Sequence, residues 1–346
     1  MTYCLFYNIL EKKGEKMRMP VLYYETNSTD PCYNLAFEEY LLKNKGEGNI
    51  LMLWQNANTV VVGLNQNTAE EINPAFTEEH GITVVRRTTG GGAVYHDLGN
   101  LNYSFITDLG DAASMSIRQF SQPVCAALAS MGVKAEVGGR NDILIEGKKV
   151  SGVAQRIYKN RILHHGTLLF ASDPAMISGA LNVDPSKFAS KSTKSVRSRV
   201  GNIKDYLPGD MSLQDFWSRL LEELAKDGAV KCTLTAQELD LITAEAEGKY
   251  RSWDWTYGKS PAYTMKKRAR YPGGQLEVRL LVDKGLIRQA AFSGDYMAVS
   301  DSAPAVNAIS GVMLCREDVA AALSGVDIPA IFGGISLEEI LETIFS

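Results

Sequence analysis

Short runs of β-branched and aromatic residues alternate with a few amphipathic stretches, beginning at Pro20. Apolar positions with a period of two indicate strands, and apolar positions recurring every three to four residues indicate helices. The predicted strands are 21–25, 50–54, 59–63, 82–87, 101–107, 142–146, 149–157, 163–170, 275–282 and 285–292, and the predicted helices are 34–43, 117–131, 213–226, 236–248, 303–308, 317–323 and 337–344. Short polar turns separate the strands between 142 and 170, which indicates an antiparallel meander. We therefore expect an α+β fold with a mixed, largely antiparallel sheet and flanking helices.

The chain has 346 residues, which exceeds a typical domain of roughly 100 to 200 residues. Its character changes near 247–251, where a helical pattern gives way to the sequence SWDW and then to a hairpin pattern. We predict a larger unit over 19–247 and a small α+β unit over 251–346. Residues 1–18 are predicted to be a disordered N-terminal extension. The segment 185–200 contains five basic residues and five serines and is predicted to be a mobile basic loop.

The composition is that of an ordinary globular protein, with 45% hydrophobic and 22% charged residues. Collagen-like, coiled-coil and low-complexity chains are excluded. The formal net charge is −4, yet residues 80–200 carry 15 basic and only 8 acidic side chains. A basic region raises the local concentration of anions. The charge pattern therefore points to a nucleotide, a nucleic acid or an acidic protein as ligand.

The five cysteines are far apart and form no C-x-x-C pair, which is typical of a reduced, cytoplasmic protein. No apolar run approaches the roughly 18 to 20 residues of a membrane helix, so no membrane partner is expected. Four histidines and isolated cysteines give no zinc spacing, and the Gly-x-Ser-x-Gly motif of a serine hydrolase is missing. Cationic chemistry is therefore expected to come mainly from Arg87 and Lys149.

A glycine-rich stretch is the first candidate site, since residues 86–97 read RRTTGGGAVYHD. Three glycines after a strand let backbone N–H groups surround an anion because no Cβ intervenes. The guanidinium groups of Arg86 and Arg87 match carboxylate or phosphate groups. The spacing fits neither a P-loop nor a dinucleotide-binding fingerprint. We expect an anion-binding loop, with an ordinary flexible loop as the alternative.

The second candidate stretch is 139–152, which reads GRNDILIEGKKVSG. Lys149 begins a strand, and simple alternation places its side chain on the same face as Ser151, while the small Gly152 leaves room for a ligand. Asn141 and Asp142 precede the neighbouring strand. They could bind a sugar, a metal-phosphate or an adenine edge, and a turn cap is the alternative.

Taken together, these motifs resemble the lipoate–protein ligase A family. The matching segments are NLAFEE at 34–39, RRTTGGGAVYHD at 86–97, GRND at 139–142, KVSG at 149–152, HHGT at 164–167, SVRSRV at 195–200 and SWDW at 252–255. The resemblance runs from about residue 20 to the end of the chain. One departure is Thr89, where the family usually has serine, and threonine keeps the hydroxyl.

The resemblance implies a biotin/lipoate ligase-like catalytic domain over 19–247 and an accessory domain over 251–346. It implies an enzyme that uses ATP and Mg²⁺ to convert lipoate into lipoyl-AMP and pyrophosphate. The lipoyl group would then pass to a lysine of acceptor lipoyl domains, in the E2 subunits of 2-oxoacid dehydrogenases and in the H protein of the glycine cleavage system.

The resemblance also implies roles for individual residues. Lys149 would be the catalytic cation, bridging the acyl carbonyl and the α-phosphate. The adenylate and the lipoyl group would be bound by Arg87, Gly92, Ala93, Val94, Tyr95, Asn141, Asp142, Lys149 and His165. Mg²⁺ would arrive with ATP, near Asp142, and no metal site of the protein's own is expected. Val62, Val84 and Val153 are candidate apolar walls for the lipoyl chain, and a place in the hydrophobic core is the favoured alternative for each.

Three other functions compete with this one. A biotin ligase uses related chemistry but would show a different Gly-Arg-rich motif, which this sequence lacks. An octanoyl- or lipoyl-transferase on the same scaffold would hold the acyl group on a cysteine thiolate and would need no ATP. None of the five cysteines lies beside the glycine-rich, Lys149 or His165 stretches, which favours the ligase. Non-enzymatic nucleic-acid binding by the basic region is disfavoured by the acidic overall charge and by the lack of an aromatic stacking motif near 185–200.

Overall fold

The structure is a computed structural model that describes residues 20–109, 117–139, 141–181, 200–257, 265–283 and 285–345. The expected extension 1–18 and nearly all of the expected loop 185–200 lie outside these ranges. The strands are β1 (Val21–Tyr24), β2 (Ile50–Trp54), β3 (Thr59–Val62), β4 (Thr83–Arg86), β5 (Val94–His96), β6 (Asn100–Asp108), β7 (Ala135–Gly138), β8 (Asp142–Ile145), β9 (Lys148–Tyr158), β10 (Arg161–Leu169), β11 (Ala229–Lys231), β12 (Met265–Tyr271), β13 (Gly274–Asp283) and β14 (Leu286–Gly294). The helices are α1 (Pro31–Asn44), α2 (Thr68–Glu71), α3 (Pro74–Glu79), α4 (Ile117–Ser130), α5 (Pro174–Ala180), α6 (Leu213–Leu224), α7 (Ala236–Glu245), α8 (Trp253–Thr256), α9 (Ala303–Ile309), α10 (Arg316–Leu323), α11 (Ile328–Phe332) and α12 (Leu337–Phe345).

The largest sheet has eight strands in the order β11-β1-β2-β6-β10-β9-β8-β7. Strand β1 pairs in parallel with β2 and β11, and the remaining pairs are antiparallel. The predicted meander over 142–170 is confirmed as β8, β9 and β10. The expected α+β class, with a mixed and largely antiparallel sheet, is likewise confirmed.

Helices cover both faces of this sheet. On one face α4 and α6 bury an apolar core together with residues such as Tyr103, Phe105 and Leu168. On the other face α1 packs on Met52, Trp54 and other alternate residues of the central strands. Because successive side chains of a strand point to opposite faces, one set of strands supplies both cores.

Helix α1 has a well-defined start. The Asp30 side chain accepts a hydrogen bond from the N–H of Cys32 at 3.0 Å, and Pro31 occupies the first turn, where its missing N–H is no loss. Residues of this helix that include Leu35 and Glu38 are buried against the sheet. The helix therefore presents a carboxylate to the protein interior.

A second, three-stranded sheet has the order β4-β3-β5 and carries the glycine-rich stretch between β4 and β5. Strands β2 and β3 follow one another in the chain but belong to different sheets. The polar residues 55–58 between them therefore form a crossing between layers instead of a hairpin turn. The same short sheet places its valines alternately toward the first sheet and away from it.

Residues 265–345 contain a third sheet, β12-β13-β14, and the four helices α9 to α12. These elements bury an apolar cluster of their own, with Leu276, Val278, Phe292 and Phe332 among its members. The predicted hairpin of 275–282 and 285–292 is confirmed as β13 and β14. No helix in the described parts of the chain combines the length and apolar character needed to cross a membrane.

The turn after α7 is fastened to α1 by a buried ion pair. Glu39 accepts hydrogen bonds from Lys249 and from the hydroxyl of Tyr250, the latter at 2.7 Å. Burial by itself would raise the pKa of Glu39, but the Lys249 charge and the hydrogen bonds to Lys249, Lys43 and Tyr250 lower that pKa to about 2. The Glu39 carboxylate therefore ties the segment that leads into residues 250–257 to the main sheet.

Candidate active site

A pocket lies on the α1 face of the large sheet. It is enclosed by α1, the short sheet and the glycine-rich stretch. Its lining residues are Leu35, Trp54, Val61, Arg87, Gly92, Ala93, Val94, His96, Asn102, Asn141, Lys149, Gly152, Val153, Ala154, His165, Gly166 and Thr167. Three of the motifs that stand far apart in the sequence thus meet in one cavity.

The pocket floor consists of two rows of residues that run across the strands. In the first row Trp54 of β2 pairs with Asn102 of β6, Asn102 pairs with Thr167 of β10, and the N–H of Gly152 in β9 donates to Thr167 Oγ1 at 3.1 Å. The second row is Met52, Ser104, His165 and Ala154, in the same strand order, and His165 and Ala154 are the two that line the cavity. Side chains two residues apart share a face, so these rows follow from the register alone.

Arg86 and Arg87, adjacent at the end of β4, have different partners. The Arg86 guanidinium donates to the carbonyls of Gly63, Leu64, Gln66, Trp255 and Thr256 and to the hydroxyl of Thr68. Burial lowers its pKa to about 10. Arg86 therefore joins β3 and its following loop to the 255–256 segment and faces away from the pocket.

Arg87 lines the pocket and shapes the glycine-rich loop. Its Nη2 donates to the carbonyls of Gly90 and Gly92 at 2.6 and 2.9 Å, and its Nη1 donates to the Val61 carbonyl at 3.1 Å. Burial lowers the pKa of Arg87 to about 10, with Arg86 lowering it further and Glu38 opposing the shift. The guanidinium still carries its charge at neutral pH. Its hydrogen bonds to the Gly90 and Gly92 carbonyls hold the glycine-rich loop in a bend around the guanidinium group.

A chain of hydrogen bonds connects Arg87 to α1. Arg87 Nε donates to Thr89 Oγ1 at 2.9 Å, and Thr89 Oγ1 lies 2.9 Å from His165 Nε2. His165 Nδ1 lies 2.8 Å from Glu38 Oε1, which also accepts from Ser104 Oγ. Since a carboxylate oxygen can only accept, His165 carries a proton on Nδ1, and in that tautomer of the neutral ring Nε2 accepts from the Thr89 hydroxyl. Glu38 thereby fixes the tautomer of His165 and the orientation of Thr89.

Lys149 occupies the other end of the floor. A β-bulge interrupts the pairing of β8 and β9, because Ile143 pairs with Ser151 while Leu144 pairs with Lys149. The extra residue resets the alternation. A Cβ on Gly152 would stand 3.2 Å from Lys149 Nζ, so Lys149 shares a face with Gly152. The expectation that it shares a face with Ser151 is wrong, and the bulge is the reason.

The polar residues predicted next to Lys149 are close to it. Asp142 Oδ1 lies 2.7 Å from Lys149 Nζ, and both side chains are about one-third exposed. Asn141 lines the pocket, where its Nδ2 donates to the Val153 carbonyl at 3.1 Å. Asn141 therefore holds the start of β8 against β9, and Asp142 orients the lysine.

Several predicted residues lie elsewhere. The Tyr95 side chain points to the far side of the short sheet, where its hydroxyl donates to Asn58 Oδ1 at 2.9 Å, so only its backbone could contact a ligand. Val62 and Val84 pack in that same outer cluster, so the favoured prediction of a place in the core is confirmed for both, and of the three valines only Val153 lines the pocket. Alternation along β3 and β5 turns the paired residues Val61 and Val94 to the pocket instead.

Other residues of the site were given no role in the sequence analysis, namely the pocket residues Leu35, Trp54, His96 and Asn102 and the neighbouring Glu38, although Leu35, Glu38 and His96 stand in the segments 34–39 and 86–97. For Glu38 the available signal was its position three residues after Leu35 on the predicted helix 34–43, because positions i and i+3 share a helix face. The roles of Trp54 and Asn102 depend on the pairing of β2 with β6, for which the sequence offers no local signal.

The described cysteines stand apart from the pocket. Cys32, Cys125, Cys232 and Cys315 are free thiols, and none of these four lines the cavity. Burial raises the pKa of Cys32 to about 11 and that of Cys125 to about 11. These two thiols are therefore poor nucleophiles at neutral pH.

An α+β scaffold that brings a lysine and an arginine-bound glycine loop to one pocket fits the class of acyl-adenylate-forming ligases. Family models agree with this class: residues 30–225 match the lipoyl protein ligase A/B catalytic domain, and residues 260–344 match the bacterial lipoate protein ligase C-terminus. The chain is 42% identical to the lipoate-protein ligase LplJ of Bacillus subtilis (strain 168), over 92% of this chain and 98% of the relative. It is 40% identical to lipoate–protein ligase 1 of Staphylococcus aureus (strain Mu50), over 91% of this chain and 97% of the relative.

Solved structures show the same architecture. A lipoate-protein ligase A bound with ATP is 27% identical with a TM-score of 0.59, over 70% of this chain and 99% of that one. A structure described as a lipoate protein ligase of Thermoplasma acidophilum with bound lipoic acid is 28% identical with a TM-score of 0.60, over 70% of this chain and 100% of that one. A structure described as a bi-partite ligase and its E2 lipoyl domain, also from T. acidophilum, is 29% identical with a TM-score of 0.60. The match covers 71% of this chain and 100% of that one. The chain belongs to the lipoate–protein ligase family and is a ligase.

Proposed function

We propose that this protein joins lipoate to acceptor proteins in two steps, with ATP as the source of energy. The observation that carries the proposal is the pocket itself, in which Lys149 lies at one end of a closed floor and the Arg87 loop lies above it. The relatives named as lipoate–protein ligases, and the related structures bound with ATP and with lipoic acid, support it.

In the first step a lipoate carboxylate oxygen attacks the α-phosphorus of ATP. A new acyl–O–P bond forms, and the bond from the α-phosphorus to pyrophosphate breaks. Lys149 stabilises the negative charge that builds on the phosphoryl and carbonyl oxygens, while the backbone of Gly92–Val94 lies along the adenylate. Preorganised cations and N–H donors aimed at developing charge are the largest usual source of such catalysis.

In the second step the amine of an acceptor lysine attacks the acyl carbonyl of lipoyl-AMP. The amide bond forms, the bond to AMP breaks, and the amine loses a proton. Lys149 again faces the carbonyl oxygen and the leaving phosphate. A single fixed cation that touches both reacting groups thus serves both steps.

Mg²⁺ would enter with the phosphates of ATP. Magnesium sites in nucleotide enzymes commonly use one or two carboxylates together with substrate phosphates. Asp142 provides one such carboxylate, beside Lys149, and the described residues contain no group of three or more metal-binding side chains. Asp142 could therefore hold a substrate-borne ion, which would neutralise phosphate charge.

We infer two domains, a catalytic domain over 19–247 and an accessory domain over 251–346. The separate apolar cluster of residues 276–344 supports this division. The accessory part contacts the glycine-rich loop, because the Gly91 N–H donates to the Tyr296 carbonyl at 3.3 Å and a Cβ on Gly90 would stand 2.7 Å from the Ala298 nitrogen. Any movement of the accessory domain would therefore change the contacts that hold the glycine-rich loop in place.

The acceptors that we propose are lipoyl domains of E2 subunits and the H protein of glycine cleavage, in the cytoplasm. The related structure described with its E2 lipoyl domain supports the first, and the free thiols of the four described cysteines support a reducing compartment.

The proposal is tested by ATP–pyrophosphate exchange and by lipoyl transfer to a purified apo lipoyl domain, each with and without lipoate. We expect exchange to require lipoate and transfer to require ATP. Replacement of Cys32 and Cys125 by serine should leave both activities in place. Transfer without ATP, or its loss in the cysteine variants, would favour the cysteine-dependent transferase instead.

A further inference from the structure

Two buried N–H donors on the pocket wall have no acceptor among the residues that the structure describes. They are Asn102 Nδ2 and His96 Nε2. The side chains of Asn102 and His96 are only 2% and 3% exposed. Leaving a buried donor unpaired destabilises a protein, and such groups are rare in native structures. Two of them in one pocket indicate a ligand group that accepts hydrogen bonds.

The donor character of Asn102 follows from its neighbour. Asn100 Nδ2 donates to Asn102 Oδ1 at 2.9 Å, inside β6. In this arrangement the oxygen of the Asn102 amide is engaged and its NH₂ group is left free, while Asn100 Oδ1 also has no partner among the described residues. Asn102 then offers N–H bonds to a ligand at that position.

The donor character of His96 follows from a longer chain. Asn34 Nδ2 donates to the carbonyls of Ser28 and Gln55, which can only accept, and also to Asn56 Oδ1 at 3.0 Å. Asn56 therefore presents Nδ2 to His96 Nδ1, 3.1 Å away, and His96 Nδ1 must accept. The ring proton of His96 is thus on Nε2. Burial lowers the pKa of His96 to about 3, so the ring stays neutral.

Both donors belong to the part of the pocket remote from Lys149. Asn102 lies between Trp54 and Thr167 in the first floor row, and the His96 ring stands edge-on to Trp54 with centroids 6.4 Å apart. From Gly152, beneath Lys149, to Trp54 the row crosses three strand spacings, or about 14 Å. A carboxyl group held at Lys149 therefore sends its acyl tail toward Asn102 and His96.

We propose that Asn102 and His96 form a tail subsite that selects an acyl chain ending in a hydrogen-bond acceptor, the ring disulfide of lipoate, over a plain hydrocarbon chain such as octanoate. The inference rests on the proposed function, which supplies the acid. Disulfide sulfurs have lone pairs that accept weakly, whereas the end of octanoate accepts nothing and leaves both donors buried and unpaired. Sites with buried donors discriminate against analogues that lack the acceptor.

The test compares the Kd values of lipoate and octanoate by calorimetry for the full-length protein and its variants. Asn102→Leu removes the donor at similar volume, and Asn102→Ala removes it while opening space. In both variants we expect the preference for lipoate over octanoate to fall by about tenfold. In the wild type octanoate leaves the Asn102 N–H group unpaired, and the variants lack this group, so octanoate no longer carries that energetic cost. Asn44→Leu, the same exchange at an exposed position at the end of α1 and outside the pocket, is the matched control, and it should leave the preference unchanged.

An unchanged preference in both Asn102 variants, or an equal loss of affinity for both acids, would overturn the inference. An equal loss would mean that the donors bind the carboxylate. Using two variants of different size separates lost hydrogen bonding from altered fit, and thermal melting of each verifies that it folds. Because the readout is binding, a protein with an Asn102-dependent preference but no pyrophosphate exchange would contradict the proposed function and leave the tail subsite standing.

Discussion

Lys149 lies across Gly152, with its Nζ 3.2 Å and its Cε 3.3 Å from the point where a Cβ of residue 152 would stand. The ammonium group can take this position because residue 152 has no side chain. A β-bulge at Val150, between the two residues, turns both to the pocket face. The geometry of the proposed catalytic cation therefore depends on one glycine and one extra residue in the strand.

The first prediction concerns that glycine. Gly152→Ala places a methyl group against the flexible end of Lys149, so the lysine should move while the fold is retained. We expect a fall in lipoate-dependent exchange on the order of tenfold to 100-fold, the usual effect of a small misplacement of a reacting group. Exchange kinetics and the melting temperature check it, and wild-type exchange in Gly152→Ala would contradict the placement of Lys149.

The second prediction concerns the chain from Glu38 to Arg87. Glu38→Ala removes the acceptor that fixes the proton of His165 on Nδ1, so the Thr89 hydroxyl loses its defined orientation and the Arg87 loop loosens. We expect the KM for ATP to rise by about tenfold. Thr89→Ser keeps the hydroxyl and should be close to wild type, whereas Thr89→Ala should resemble Glu38→Ala. Equal kinetics for the two Thr89 variants would show that the chain has no role.

The third prediction separates the two adjacent arginines. Arg86→Lys loses most of the donors that satisfy five backbone carbonyls and should lower the free energy of unfolding by at least about 3 kcal/mol. Arg87→Lys should have a smaller effect on stability and a larger one on affinity for a sulfamoyl analogue of the adenylate. Chemical denaturation and calorimetry measure the two quantities. A larger loss of stability in Arg87→Lys and a larger loss of affinity in Arg86→Lys would contradict the structural role of Arg86 and the binding role of Arg87.

The fourth prediction concerns the dependence of stability on pH. The pKa of Glu39 is lowered to about 2 in the folded protein from an ordinary value of 4.5. Its contribution, about 3 kcal/mol, is therefore fully present above pH 4.5 and is lost as the pH falls toward 2. The difference in unfolding free energy between wild type and Glu39→Gln should shrink over that window. A difference that is constant from pH 6 to pH 3 would rule out the ion pair with Lys249 as its source.

The sequence allowed much of the fold to be predicted, for a local reason. The strands β8, β9 and β10 are joined by short polar turns, and their antiparallel pairing follows from turn chemistry and alternation. The separation of β2 from β3 into two sheets could not be predicted in this way. It depends on the distant pairing of β2 with β1 and β6, which no residue between 55 and 58 encodes.

The candidate site was predicted where residues are consecutive and missed where the fold assembles them. Arg87, Gly92 and Lys149 stand in recognisable stretches, and the structure brings them to one pocket. Asn102 reaches the same pocket from β6, outside every recognisable stretch. His96 and Glu38 stand in the segments 86–97 and 34–39, but their contacts with Asn56 and with His165 arise only when the chain folds. The bulge before Ser151 shows the limit of alternation, since one extra residue moved Lys149 to the other face.

The role of Lys149 in forming the adenylate is the central claim, and ATP–pyrophosphate exchange driven by lipoate tests it most directly. The measurement compares wild type with Lys149→Ala and Lys149→Arg, and uses Lys148→Ala, the exposed neighbour at the turn, as the matched control. We predict that Lys149→Ala folds with little change in melting temperature but loses exchange, that Lys149→Arg is also poor because a planar fork cannot replace a point charge at this position, and that Lys148→Ala exchanges normally. Exchange near the wild-type rate in a folded Lys149→Ala variant would contradict the account.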